Sequence, residues 1–140
     1  MKIFLDTNVL LDFVTEREGV EEACEILQMG EEGTADLYTS YLTMANTAYV
    51  ARKGRSRDEL YAVLAGLSDL IQVLSMDENQ FKQAVANPVS DFEDMLQYVC
   101  AVTHGCDIII TRNKKDFSFS QIPIYTPMEF LAASKSSKTE

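Results

Sequence analysis

Short apolar runs alternate with amphipathic stretches along most of this 140-residue chain. The first apolar run covers residues 3–5 and stops at Asp6, and the clearest one covers residues 107–111. Because three isoleucines fill the centre of the second run, we expect a strand that is buried on both faces. Between the runs, apolar residues recur at the three- to four-residue spacing of helices that bury one side. Strands that alternate with helices predict a central parallel sheet with helices on both faces, a three-layer α/β/α sandwich.

The length of the chain predicts one domain over residues 1–133, with its last helix ending at Ala133 and a flexible tail over residues 134–140. No apolar run is long enough to cross a membrane, and the N-terminus does not resemble a signal peptide. The three cysteines lack the spacing of a metal site or a disulfide framework, so we expect three buried thiols. These features together favour a cytoplasmic protein.

The charge of the chain argues against binding nucleic acid through its bulk surface, because the formal net charge is −10. Two basic clusters interrupt this acidic background: one lies within residues 52–57, and the other is formed by Arg112, Lys114 and Lys115. Either cluster can be a solvated surface, and either can attract phosphate locally. The composition therefore leaves local phosphate binding open.

Four aspartates are expected near one edge of the sheet. Asp6 ends the first strand, and Asp116 lies in the loop after the isoleucine-rich strand. Asp91 and Asp94 lie three residues apart at the start of a predicted helix, so both project from the same side of it. Since the carboxyl ends of parallel strands meet at one edge, we expect these carboxylates to converge there.

Each of these acids also has a purely structural alternative. Asp6 or Thr7 can cap the first helix, Ser90 and Glu93 match a capping box, and Asp116 can belong to a turn. Several carboxylates at one edge repel one another and raise each other's pKa values. Because this repulsion does not stabilise the fold, structural roles alone do not explain why the four acids lie together. A Mg²⁺ or Mn²⁺ ion relieves that repulsion, because both prefer oxygen ligands, and it can promote phosphodiester hydrolysis.

Four segments resemble the sequence motifs of PIN-domain proteins and occur in the order typical of that family. They are residues 6–12 (DTNVLLD), the Ser40-x-x-Thr43-x-x-Asn46 pattern, residues 91–101 (beginning DFED) and residues 109–117 (IITRNKKDF). The resemblance implies a PIN-like α/β fold and a Mg²⁺- or Mn²⁺-dependent ribonuclease. It also implies RNA as the substrate. Since many members are toxins of bacterial toxin–antitoxin pairs, an antitoxin protein and a second copy of the chain are candidate partners.

Matched by position to the family motifs, Asp6 corresponds to the first metal-site aspartate and Asp94 to the third acidic position. Many members have glutamate where this chain has Asn46, and aspartate where it has Asn113. The branch that this chain resembles draws on Asp91 and Asp116 instead, so all four aspartates are the expected metal-binding and catalytic residues. The residues expected to support them or to contact substrate are Asn8, Ser40, Asn46, Thr111, Arg112, Asn113, Lys114 and Lys115.

Two other functions remain open on the sequence. The two asparagines reduce the charge of the acidic set, which allows a PIN-like module that binds RNA or a protein without cleaving. A phosphatase-like hydrolase would need a second aspartate two residues after Asp6, and Asn8 occupies that position. Metal binding discriminates the first alternative from a nuclease.

Overall fold

A computed structural model describes residues 1–138 as a five-stranded sheet with α-helices on both faces. The strands are β1 (Lys2–Leu5), β2 (Asp36–Ser40), β3 (Gln72–Leu74), β4 (Ile108–Ile110) and β5 (Ile124–Tyr125). The helices are α1 (Thr7–Val14), α2 (Val20–Glu32), α3 (Tyr41–Ala51), α4 (Arg57–Leu70), α5 (Glu78–Ala86), α6 (Phe92–Thr103) and α7 (Pro127–Lys138). A short 3₁₀ turn, Lys114–Phe117, follows β4.

The order of the strands creates a crevice beside β1. All strand pairs are parallel, and the order across the sheet is β3-β2-β1-β4-β5. The chain moves outward from β1 to β3 and then crosses back to place β4 on the other side of β1. In open parallel sheets, ligands bind beyond the carboxyl ends of the strands where the order reverses in this way. Leu5 pairs with Ile110 at that end of the β1–β4 boundary.

The side chains of β1 and β4 alternate between the two faces of the sheet, as strand geometry requires. Ile3 and Leu5 pack with α1, α2 and α7, whereas Phe4 packs on the opposite face with α6 and the 3₁₀ turn. In β4, the outer two isoleucines join the first cluster and Ile109 joins the second. Both faces are therefore covered, which confirms the predicted α/β/α sandwich and the two-sided burial of the isoleucine-rich strand.

Two helix boundaries differ from those predicted by the sequence. Asp91, not Ser90, is the N-cap of α6, because its Oδ1 accepts hydrogen bonds from the amides of Glu93 (2.9 Å) and Asp94 (3.4 Å). The capping box predicted for Ser90 and Glu93 is therefore wrong. Aspartate and serine are similarly favoured as N-caps, so the sequence pattern does not distinguish them. Helix α7 continues past Ala133 to Lys138, since no Gly or Pro interrupts it. The last two residues of the predicted tail, 139 and 140, lie outside the described residues.

The prediction of three buried thiols is correct for two cysteines. Cys100 and Cys106 are buried, whereas Cys24 is exposed because α2 turns other side chains toward the core. Within residues 1–138, no helix combines the length and the apolar character needed to cross a bilayer.

An ion pair with a buried carboxylate connects the segment after β4 to α1. Asp12 is only 1% exposed, and its Oδ1 lies 2.5 Å from Nη1 of Arg112. The Oδ2 atom has no hydrogen-bond partner among the described residues and lies against Gly19, where a Cβ would approach it to 2.3 Å. Gly19 is the N-cap of α2, and the N-terminus of a helix favours a negative charge. The pair therefore links α1, α2 and the segment that follows β4.

We expect Arg112→Ala to destabilise the protein more than Asp12→Asn does. Without Arg112, a buried carboxylate loses its cation, which lowers the free energy of unfolding by about 3 kcal/mol, the low end for a buried pair because Arg112 is partly exposed. Without the charge of Asp12, water can still solvate an Arg112 side chain that is 42% exposed, so about 1 kcal/mol is lost. Urea unfolding of both variants measures these differences.

The control for this comparison is Lys135→Ala, which removes an exposed ion pair with Glu25 at 3.7 Å. Such surface pairs contribute between about 0 and 1 kcal/mol, so this variant should unfold close to the wild type. Equal decreases in the free energy of unfolding for Arg112→Ala and Asp12→Asn would show that the burial of Asp12 does not determine which change is more destabilising.

Candidate functional site

Asp6 lies at the carboxyl end of β1 and is 7% exposed. Its Oδ1 accepts a hydrogen bond from the amide of Thr7, and its Oδ2 accepts one from the hydroxyl of Thr111, both at 2.8 Å. The amide of Asp6 donates to the carbonyl of Ile110 at 3.0 Å, which extends the pairing of β1 with β4. Asp6 is thus the N-cap of α1 and, at the same time, a carboxylate held in one orientation at the edge of the sheet.

The environment of Asp6 favours its protonated form. Burial is the largest effect and raises the pKa of Asp6, while the hydrogen bonds from Thr111 and Thr7 act in the opposite direction. The negative charges of Asp116 and Asp91 raise this pKa further. Asp6 therefore has two other predicted site residues near enough to affect its ionisation.

A cleft of about 310 Å³ brings together residues from α6 and from the segment after β4. Asp91, Asp94, Lys115 and Asp116 are among the residues that line it. Asp6 does not line this cleft, although its charge acts on groups within it. The structure thus places all four predicted aspartates in one neighbourhood beyond the β1–β4 boundary.

Asp94 has the most strongly perturbed carboxyl group of this neighbourhood. Its pKa is raised from 3.8 to about 7, mainly by burial and then by the charges of Asp91, Asp6, Asp116 and Glu93. Without a cation, part of the Asp94 population therefore keeps its proton near neutral pH. A strongly shifted acid in a cleft is typical of a functional site, although structural charge networks also produce such shifts.

Glu93 is a fifth carboxylate of this site that the sequence pattern assigned to a capping box. Its Oε1 accepts a hydrogen bond of 2.6 Å from Nδ2 of Asn46 on α3. Burial, followed by the charges of Asp91 and Asp6, raises the pKa of Glu93, and the bond from Asn46 opposes this rise. Because Asp91 and not Ser90 is the N-cap, Glu93 and Asp94 both lie in the first turn of α6.

A buried hydrogen-bonded group joins α3 to α6. The hydroxyl of Ser40 donates to Oε1 of Gln97 at 2.6 Å, and Nε2 of Gln97 donates to Oγ1 of Thr43. The amide of Thr43 in turn donates to Oγ of Ser40 at 3.0 Å. Both Ser40 and Gln97 are fully buried, so they fix the position of α6 and do not meet substrate. Gln97 is not among the residues predicted from the sequence. A glutamine among the core positions of α6 is the sequence feature that indicates its buried polar contacts.

The other two predicted asparagines, Asn8 and Asn113, form no hydrogen bond with Asp6 among the described residues. The amide of Asn113 donates to Oγ1 of Thr111 at 3.1 Å, so Thr111 orders the start of the loop while it holds Asp6. Asn8 is half-buried in the first turn of α1, and no hydrogen bond joins it to Asp6 within the described chain. The supporting role predicted for Thr111 therefore has a direct contact, whereas that of Asn8 has none.

The three predicted cations are placed differently around the site. Arg112 pairs with buried Asp12, and Nζ of Lys114 lies 3.2 Å from Glu129 at the start of α7. Lys115 lines the acidic cleft. Of these three cations, Lys115 is the one positioned to attract a phosphate there.

The donor atoms of the cleft match the preference of Mg²⁺ and Mn²⁺ for carboxylate oxygens. Within residues 1–138, no three His, Cys, Asp or Glu side chains converge closely enough to enclose an ion. Mg²⁺ keeps several waters and commonly takes only one or two carboxylates from a protein, so that convergence is not required. Burial is the main cause of the raised pKa values of Asp6, Glu93 and Asp94, and repulsion between the acids adds to it. A cation near these carboxylates would relieve the repulsion.

We expect Asp94 to make the metal-free protein less stable as the pH rises from about 4 to about 7. Because its pKa is higher in the folded state, its stabilising contribution is complete below its ordinary value of 3.8 and is lost as the pH passes about 7. Asp94→Asn cannot ionise, so this variant should gain stability relative to the wild type over that interval. Denaturant unfolding with EDTA, at a series of pH values, measures the difference. A difference independent of pH would contradict the assignment.

Comparison with known proteins identifies the family of this chain and agrees with its fold. A family model described as PIN domain matches residues 2–115. Ribonuclease VapC1 of Aquifex aeolicus (strain VF5) is 26% identical over 135 residues, which cover 92% of each chain. The similarity to this ribonuclease therefore extends over nearly the whole length of both proteins.

Solved structures share the fold at lower identity. VapBC2 from Rickettsia felis, bound to a DNA fragment from its promoter, matches with a TM-score of 0.67 at 12% identity, covering 90% of this chain and 98% of that one. A toxin–antitoxin complex from Klebsiella pneumoniae matches with a TM-score of 0.65 at 23% identity, covering 89% and 97%. These likenesses show the fold alone. Because the family model spans most of the sequence and the fold agrees with it, the chain belongs to the PIN-domain family.

Proposed function

We propose that this protein is a Mg²⁺- or Mn²⁺-dependent endoribonuclease whose metal-binding and catalytic residues are Asp6, Asp91, Asp94 and Asp116. The observation that carries the proposal is that Asp91, Asp94 and Asp116 line one cleft close to Asp6 at the carboxyl end of β1. Burial, followed by the charges of the neighbouring acids, raises the pKa of Asp94 to about 7, in agreement with that placement. Groups that repel one another destabilise a fold, so their presence in a cleft beyond the reversal of strand order favours a functional role.

The surroundings of the four aspartates indicate a different role for each in the proposed site. Asp6 is the fixed anchor, since both of its oxygens are held by donors. Asp94 faces the cleft and completes the set with Asp91 or Asp116. Mg²⁺ or Mn²⁺, when bound, would neutralise phosphoryl charge and activate water for hydrolysis. Lys115 attracts the backbone phosphate to the otherwise acidic cleft.

RNA as the substrate is supported by the similarity to a ribonuclease along nearly the whole chain. The toxin–antitoxin complex among the structures with this fold supports an antitoxin protein as a partner of this chain. We further infer that the protein acts in the cytoplasm, where RNA is available. A second copy of the chain is the other expected partner.

We expect Asp6→Asn and Asp94→Asn each to reduce Mn²⁺-dependent cleavage of single-stranded RNA by about 100-fold or more. Loss of a residue that merely orients a metal ligand already costs about 10- to 100-fold, and loss of a ligand costs at least as much. Both changes preserve side-chain shape. The matched control is Asp69→Asn, an exposed change on α4, which should cleave at the wild-type rate. Gel analysis of end-labelled RNA with Mn²⁺ and with EDTA measures the rates.

A second readout measures metal binding without cleavage. Mn²⁺ should raise the unfolding temperature of the wild type and of Asp69→Asn, and should raise that of Asp94→Asn much less. Wild-type cleavage by Asp6→Asn would refute the assignment of the anchor. If the wild type binds RNA but neither cleaves it nor responds to Mn²⁺, the protein is the non-cleaving binding module that Asn46 and Asn113 leave open.

A further inference from the structure

Helix α3 leads away from the candidate site and carries an exposed aromatic–cation pair. Asn46 contacts Glu93 at the site, and Tyr49 lies three residues further on, so both project from the same side of α3. Tyr49 is 65% exposed. The guanidinium carbon of Arg52 lies 3.7 Å from the centre of the Tyr49 ring, and Nη1 of Arg52 donates to the Tyr49 carbonyl at 3.2 Å. The pair is therefore already assembled in the protein alone.

The turn after α3 concentrates positive charge in a strongly acidic chain. Residues 52–57 contain four of the 12 Lys and Arg residues of a protein whose net charge is −10. Three of them have partners: Arg52 stacks on Tyr49, Arg55 donates to backbone carbonyls, and Arg57 lies 3.8 Å from the neighbouring Asp58. Arg52 and Lys53 are exposed beside Tyr49. This local charge complements a polyanion.

We propose that the exposed side of α3 binds the RNA strand next to the cleavage site, with a base stacked on Tyr49 and phosphates held by Arg52 and Lys53. Proteins that bind single strands commonly combine aromatic side chains for stacking with cations that follow the backbone. At 1.5 Å per residue, Tyr49 lies about 5 Å along α3 from Asn46, and Arg52 and Lys53 follow in the turn at the end of that helix. One short oligonucleotide can therefore reach the acidic cleft and this surface together. The inference rests on the proposed ribonuclease function.

The charges favour RNA over a second copy of the chain as the occupant of this surface. A two-fold symmetric dimer places the same patch of both subunits against each other. Such an interface centred on Tyr49 would bring Arg52 and Lys53 of one copy against those of the other, and like charges repel. RNA supplies the opposite charge and planar bases that can stack on the open side of Tyr49.

The test measures binding of a short, fluorescein-labelled single-stranded RNA by anisotropy, with EDTA present to prevent cleavage, over a series of salt concentrations. Tyr49→Ala should weaken binding at least about fivefold, because one stacked base is lost, and should leave the salt dependence unchanged. Arg52→Gln and Lys53→Gln should each reduce the slope of log affinity against log salt by about 0.7, as expected for one lost phosphate contact. Tyr49→Phe retains the stacking surface and should bind as the wild type does.

The matched control is Tyr61→Ala, which removes a tyrosine of similar exposure, 66%, on α4 and should not change binding. Circular dichroism and light scattering of each variant establish its fold and oligomeric state. Wild-type affinity for Tyr49→Ala would overturn the proposal, and so would conversion of a dimer to a monomer by this change. If RNA binding depends on Tyr49 but Asp6→Asn cleaves normally, only the catalytic assignment fails. If the wild type cleaves RNA and Tyr49→Ala binds it equally well, the proposed RNA-binding surface is wrong and the proposed ribonuclease function is retained.

Discussion

The candidate site depends on a single constraint, the burial of a carboxylate at the point where the strand order reverses. The pairing of Leu5 with Ile110 places Asp6 next to Thr111, and the start of α1 supplies the second donor at Thr7. A carboxylate that is 7% exposed would be unstable here without these donors. The hydrogen bonds that offset the cost of burying Asp6 also fix the orientation of its carboxylate. The helix-capping role of Asp6 and its proposed metal-binding role therefore depend on the same contacts.

The acids around Asp6 repel one another, and the surrounding contacts hold them in place against that repulsion. The Ser40–Gln97–Thr43 group joins α6 to α3 through satisfied, buried hydrogen bonds, which resist displacement of Asp91 and Asp94. On the other side, the pair of Asp12 with Arg112 holds the segment that leads to Asp116. Neither group touches the cleft. Their effect is to keep α6 and the segment after β4 close to each other at the edge of the sheet.

The sequence predicted the parts of the structure that depend on local pattern. Three consecutive isoleucines identify β4, and because parallel strands end at one edge, the neighbourhood of Asp6 and Asp116 follows. The contacts of Glu93 and Arg112 could not be predicted in this way. Assigning the N-cap of α6 to Ser90 instead of Asp91 gave Glu93 a bond to its own helix, whereas it bonds Asn46 of α3. Arg112 meets a partner 100 residues away, and only tertiary packing brings the two together.

The contact between Asn46 and Glu93 changes the significance of the departure from the family motif. Where many relatives have glutamate, Asn46 provides an amide that donates to Glu93 from α6. A second carboxylate at position 46 would meet Glu93 as a like charge, so the amide and the glutamate complement each other. The carboxyl group absent from α3 is thus matched by one on α6, whose pKa responds to Asp6 and Asp91. Glu93 therefore adds negative charge near Asp6 that Asn46 does not supply, which supports the proposed nuclease over the non-cleaving module.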